Sequence, residues 1–168
     1  MTKPEPPEGG LLFRPAVGAL VLDSAGKLLL GRRNDSPAPH WQLPQGGLKE
    51  DETPEDAVIR EMREELGTSR LAILGVLPRR TRYVWRGEVL NPAGYVGQSH
   101  IWFILRLDGH IEEEGVSEEF SAFDWVEPGQ MLEHTHPVRR ATYLAVHEMF
   151  QDWLRSRNGD HDLPCNNS

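Results

Sequence analysis

The feature that most constrains this chain is the run Thr53-Pro54-Glu55-Asp56-Ala57-Val58-Ile59-Arg60-Glu61-Met62-Arg63-Glu64-Glu65-Leu66-Gly67. Thr53 is a good N-cap, Pro54 suits the first helical position, where no N–H is needed, and Glu55 and Asp56 complement the positive end of the helix dipole. Gly67 closes the helix in the left-handed conformation. These signals predict a helix over Pro54–Leu66. Val58, Met62 and Leu66, four apart, give it an apolar stripe to pack on a sheet. Glu61, Glu64 and Glu65, at i, i+3 and i+4, put three carboxylates on another face, where they repel unless something neutralises them. A divalent cation does this, since hard ions such as Mg²⁺ take oxygen ligands, usually a few carboxylates with waters and substrate phosphates. Three acidic residues alone, paired with Arg60 and Arg63, also fit a solvated surface.

The rest of the chain places that helix in a single domain. At 168 residues it matches the roughly 150 of one domain. The Pro/Gly-rich start (residues 1–11) and the polar end (158–168) read as tails around a domain of residues 12–157. Val17 to Leu22 and Lys27 to Leu30 flank the turn Ser24-Ala25-Gly26 and read as a hairpin. Strand-rich stretches follow from Leu71 to Trp85 and from His100 to Leu107, with Ile101-Trp102-Phe103-Ile104-Leu105 reading as a strand buried on both faces. Ala122 to Val126 is a short candidate strand. A second helix is expected from near Pro137 to Arg157, its stripe formed by Leu144, Val146, His147, Met149, Phe150, Trp153 and Leu154. Helices inserted between strands argue for an α/β layer structure.

Lys and Arg total 18 against 26 for Asp and Glu, a formal charge of −8, which repels polyanions. A ligand bound at its end is therefore expected rather than a long nucleic-acid track. The single cysteine, Cys165, sits where no internal disulfide forms, and no apolar run reaches the roughly 18 residues of a membrane span. A cytoplasmic, unanchored protein is expected, with its oligomeric state open. No Gly-Lys-Ser/Thr phosphate loop is present. His134, His136 and Asp124 read as turn polarity rather than a transition-metal site.

Read together with the loop before it, the helix resembles the signature of the Nudix hydrolases, Gly-x5-Glu-x7-Arg-Glu-U-x-Glu-Glu-x-Gly-U. Gly46, Glu52, Arg60, Glu61, Met62, Glu64, Glu65 and Gly67 fall in register, and only Thr68 departs, where a bulky aliphatic residue is usual. The resemblance implies an α/β/α sandwich with a mixed sheet and a loop-helix-loop metal site. It also implies hydrolysis of a nucleoside diphosphate linked to another group. By the same resemblance Glu61, Glu64 and Glu65 are metal ligands, joined by a main-chain carbonyl at Gln45 or Gly46, while Glu52 and Arg60 form an ion pair pinning loop to helix. The cofactor implied is Mg²⁺, with Mn²⁺ the alternative.

The flanks are similar to the branch of RNA pyrophosphohydrolases and dinucleoside tetraphosphate hydrolases: Phe13-Arg14-Pro15-Ala16-Val17-Gly18, Gly31-Arg32-Arg33, Trp41-Gln42-Leu43-Pro44-Gln45-Gly46-Gly47, Arg82-Tyr83, and Gly97-Gln98 with Trp102-Phe103. Ile101 stands where that branch usually carries a lysine. The branch implies a further metal-site glutamate and candidate general base, here Glu119, with Glu118 as fallback. Glu64 and Glu119 are the candidates to take the proton of the attacking water, beside Glu61 among the catalytic carboxylates. Arg14, Arg33, Gln45, Arg82 and Tyr83 are the candidate substrate contacts, with Arg32, Arg79 and Arg80 further phosphate candidates; arginine offers a planar fork of donors and tyrosine an aromatic face for a base. The implied substrate is the 5′-triphosphate end of RNA or a dinucleoside polyphosphate. Rival readings are a sanitiser of damaged nucleotides, a nucleotide-sugar hydrolase, or a nucleotide-binding module without turnover.

Overall fold

The computed structural model describes residues 11–34, 40–68, 70–85, 94–109, 111 and 119–159. Residues 1–10 and 160–168, most of both expected tails, and Glu118 lie outside them. The elements run β1 (Leu12–Leu22), β2 (Leu28–Arg33), β3 (Trp41–Gln42), β4 (Gln45–Gly47), α1 (Pro54–Leu66), β5 (Leu71–Val76), β6 (Thr81–Val84), β7 (Tyr95–Leu107), β8 (Phe120–Val126), α2 (Met131–His134) and α3 (Arg140–Gly159). They build one mixed sheet in the order β3-β2-β1-β7-β5, with β4 added to β1, β6 to β7 and β8 to β2. Strands β1 and β7 run parallel at its centre and the other pairings are antiparallel.

Side-chain alternation along the central strands sorts the core into two layers. Val17, Ala19 and Val21 of β1, with Phe103 and Leu105 of β7, face α1 and its Ala57, Val58, Met62 and Leu66. Leu20 and Leu22, with Trp102 and Ile104, face α3 and its Tyr143, Val146, Met149 and Phe150. Helices therefore cover both faces, which is why β1 and β7 read as continuous apolar runs. The α/β/α layering and the mixed sheet match the sequence expectation.

Several details differ from that expectation. The first two strands meet only at Leu22↔Leu28, across a turn in which Asp23 Oδ1 accepts from the Ala25 and Lys27 amides, each at 2.9 Å. Strand β1 then pairs with β4 and β7 while β2 pairs with β3 and β8, so the turn joins diverging strands rather than a long hairpin. Strand β7 begins at Tyr95, not His100, because β1 and β6 flank its polar first half and satisfy its backbone from both sides. On α3 the buried stripe contains Tyr143, whereas Leu144 is 46% exposed, and Pro137–Arg139 forms a separate 3₁₀ turn ahead of the helix. The helix ends at Gly159, two residues beyond the expected boundary. Among the described residues no helix is long and apolar enough to cross a membrane.

Candidate active site

The helix ends behave as their residues dictate. Thr53 Oγ1 accepts from the Asp56 amide at 3.2 Å, and Gly67, at φ +69°, donates its N–H to the Arg63 carbonyl. The loop between β4 and α1 is closed by Arg60. Its Nε and Nη2 donate to the two oxygens of Glu52 at 2.6 and 2.9 Å, and Nη2 also donates to the Gly47 carbonyl at 2.9 Å. Its Nη1 reaches Glu61 Oε1 at 2.8 Å and, at 3.5 Å, Glu64 Oε2. Glu52 additionally accepts from the Lys49 amide. The guanidinium beside Glu52 holds its carboxyl down at about 2, and the same pairing raises Arg60 further above its already basic range.

Glycine is required where the loop passes the helix. A Cβ on Gly46 would overlap the Glu61 carboxylate, and one on Gly47 would overlap the Arg14 guanidinium. The paired glycines thus let two side chains of the candidate site lie directly against the backbone.

The three helix carboxylates occupy different environments. Glu64 is 58% exposed, and Glu61 is mostly covered. Glu65 is 3% exposed, and its Oε2 is buried without a hydrogen-bond partner among the described residues. Burial raises Glu61 while Arg60 opposes the rise. For Glu65, burial first and the neighbouring Glu119 and Glu61 next push the carboxyl up to about 10. Glu119, half exposed at the start of β8, approaches Arg33 Nη1 at 3.9 Å. Among the described residues no three acidic or imidazole side chains converge on one point, Glu61 being turned onto Arg60. The donor set nevertheless fits a hard divalent cation: all its donors are oxygens, they repel one another, and one of them is a buried carboxylate oxygen without a partner.

Glu61, Glu64 and Glu119 line a cleft of about 710 Å³ that also includes Arg14, Arg33, Gln45, Gly46 and Tyr83, while the buried Glu65 does not line it. The structure thereby brings together most residues singled out in the sequence. Among the candidate substrate contacts Arg82 is the exception: it does not line the cleft, and its guanidinium lies over the Phe13 ring at 5.4 Å. On β6 side chains alternate, so with Tyr83 facing the cleft Arg82 faces away. Among the further arginines, Arg32 donates to Ser121 at 2.9 Å, and Arg79 and Arg80 are exposed outside the cleft. Ile101 packs on the α1 side, one residue out of phase with the cleft.

Sequence reasoning missed several residues that line the cleft, Gln98 and Arg139 foremost. Gln98 lies directly between Arg14 on β1 and Tyr83 on β6, so the three make a row across adjacent strands, all lining the cleft. Arg139, from the turn before α3, places its guanidinium over the Tyr83 ring at 4.9 Å. The only local hint to either was the Gly97-Gln98 pair. Beneath the row, His100 is buried, stacked on Trp102 at 5.3 Å and hydrogen-bonded through Nε2 to Gln45 Oε1. Burial, and secondarily Arg139, lowers it to about 4. His136 caps the turn by accepting from the Val138 amide, and Trp41 lines the cleft while packing on the core.

Comparison with known proteins points the same way. Residues 12–146 match the family model described as the NUDIX domain. The RNA pyrophosphohydrolase of Dinoroseobacter shibae is 33% identical over 158 residues, covering 86% of this chain and 95% of that protein. That of Gluconacetobacter diazotrophicus is 35% identical over 150 residues, covering 81% and 90%. In three dimensions the chain resembles a Caenorhabditis elegans Ap4A hydrolase in a binary complex, with a TM-score of 0.65, 20% identity, and 85% and 98% coverage. The fold is also similar to that of the Escherichia coli dihydroneopterin triphosphate pyrophosphohydrolase, with a TM-score of 0.61, 19% identity, and 79% and 94% coverage.

Proposed function

The chain belongs to the Nudix family of hydrolases, and on that premise we propose that it is a divalent-metal-dependent pyrophosphohydrolase acting on the 5′-triphosphate end of RNA. The observation that carries this is one cleft lined both by the carboxylates Glu61, Glu64 and Glu119, next to the buried Glu65, and by the cations Arg14, Arg33 and Arg139. An anion of several linked phosphates suits both sets of groups together, through the arginines directly and through a metal ion at the carboxylates. The RNA end is favoured because relatives bearing that activity in their names align over nearly their whole length. A dinucleoside polyphosphate is the second reading, favoured by the fold neighbour named for Ap4A hydrolysis.

Glu61, Glu64, Glu65 and Glu119, with the Gly46 carbonyl, would hold Mg²⁺, or Mn²⁺ in its place. That cation would offset the charge of the phosphate oxygens and make a bound water more acidic. Glu64, the most accessible of the helix carboxylates, and Glu119 are the candidates to take the water's proton. Arg14 and Arg33 bind phosphate oxygens through planar guanidinium forks. Arg60 orients Glu61 while its bond to the Gly47 carbonyl fixes the loop. Tyr83, with Arg139 over its ring, offers the flat end of the cleft on which a nucleobase stacks.

The test is side-by-side turnover, with Mg²⁺, of a short 5′-triphosphorylated RNA and diadenosine tetraphosphate, with Glu64→Gln as control. Phosphate or pyrophosphate release from the RNA supports the first reading, and cleavage of the dinucleotide alone supports the second. A strong preference for an altered base in a mononucleotide, or turnover retained by the Glu64→Gln variant, overturns both.

A further inference from the structure

Along β7 the same-face residues Gln98, His100 and Trp102 pass from the cleft into the core. Gln98 lines the cleft and Trp102 is sealed in, its Nε1 donating to Thr81 Oγ1 at 2.7 Å. His100, between them, is 1% exposed and does not line the cleft; it meets Gln45, which does, the Gln45 side-chain oxygen lying against His100 Nε2. The other ring nitrogen, Nδ1, is buried with no hydrogen-bond partner among the described residues. A neutral imidazole carries one proton, so two arrangements compete. With the proton on Nε2, the ring donates to Gln45 Oε1, and only a lone pair is left unpartnered at Nδ1. With the proton on Nδ1, the Gln45 amide must turn over and donate to Nε2, and a buried N–H is orphaned. Orphaned buried N–H groups are the rarer and costlier fault, so the first arrangement wins.

The choice reaches the substrate through the geometry of a carboxamide. Once the Gln45 oxygen is held against His100, its NH₂ group is the end left to face the cleft, presenting donors. Turned over, the same residue presents a carbonyl oxygen, which repels an anion.

We propose that His100 is a positioning residue that locks the Gln45 carboxamide with its N–H donors facing the cleft, making Gln45 a dedicated phosphate-oxygen contact; this rests on the proposed reading that the cleft receives a polyphosphate. A charged ring would donate from Nε2 as well, so the orientation of Gln45 does not depend on how the ring titrates.

The first test needs neither metal nor substrate. In full-length protein with ¹⁵N-labelled histidine, the His100 resonances, assigned by their loss in His100→Gln, show a neutral ring protonated at Nε2; a proton on Nδ1 overturns the proposal. The second test is kinetic, on whichever of the triphosphorylated RNA and diadenosine tetraphosphate is turned over. His100→Leu, which removes the donor, raises KM about tenfold with kcat changed less than about threefold, the size expected for one hydrogen bond to a charged group. His100→Gln, which keeps a donor, restores KM to within about threefold of wild type. In a Gln45→Ala background His100→Leu leaves KM within about twofold, since the group it orients is gone. A purely structural role predicts equal losses in both backgrounds and no rescue by glutamine, and that pattern overturns the proposal. If neither substrate is turned over, the reaction assignment fails, while the tautomer and the affinity for inorganic pyrophosphate, weakened by His100→Leu only when Gln45 is present, still decide the role of His100.

Discussion

Replacing Glu52 with glutamine isolates the ion pair that closes the loop before α1. The substitution keeps the shape of the side chain but sets an NH₂ group against donors, because Arg60 and the Lys49 amide both donate to the Glu52 carboxylate. The carboxyl falls from 4.5 to about 2 in the folded protein, which bounds the loss at about 3 kcal/mol. Solvent access to the pair, whose side chains are 14% and 21% exposed, lowers this to about 2 kcal/mol. For a domain of this size that is about 4–8 °C in Tm. The pH dependence has a definite sign. A carboxyl depressed by folding adds its full stability above the unfolded value of 4.5 and loses it as pH falls through about 2. Urea unfolding of wild type and Glu52→Gln from pH 7 to pH 3 should therefore show a constant gap at the upper end that narrows below pH 4.5. A gap below about 0.5 kcal/mol at pH 7, or one that does not narrow in acid, would refute the assignment of this pair as the loop's main fastener. Turnover should fall as well, since the same guanidinium holds Glu61 and the Gly47 carbonyl.

Other consequences follow from the same contacts. Gly46→Ala drives a Cβ into the Glu61 carboxylate and should cost about a hundredfold in kcat with little change in Tm, measured on the active substrate. Arg14→Ala should raise KM at least about tenfold, whereas Arg82→Ala, whose guanidinium rests on Phe13 outside the cleft, should change it less than about twofold. His100 is lowered to about 4 in the folded protein, so the unfolded chain binds its proton first as pH falls. Its contribution is complete above pH 6.5 and lost on descent to about 4, so wild type should lose up to about 3 kcal/mol more than His100→Gln across that window in urea titrations. Mg²⁺ at about a hundred times its Kd should stabilise the protein by about 2.7 kcal/mol, read as a Tm rise that EDTA reverses and Glu65→Gln abolishes.

The 54–66 helix was legible to the residue because every determinant is local: cap, proline, dipole charges, terminal glycine and stripe all lie within one short segment. The same locality exposed Glu61, Glu64 and Glu65 as one acidic face, and the two-sided burial of β1 and β7 followed from their unbroken apolar runs. Sequence could not show which strand neighbours which, because pairing partners are set by long-range register. That register aligned Arg14, Gln98 and Tyr83 in one row and turned Arg82 to the other side. Nor could it show that three glutamates four residues apart at most would differ from exposed to buried, because burial depends on what packs over the helix. Chain-local chemistry thus determined the helix and its acidic face. Only the tertiary structure, through strand register and packing across sequence-distant elements, decided which cations, rings and amides share the cleft with that face.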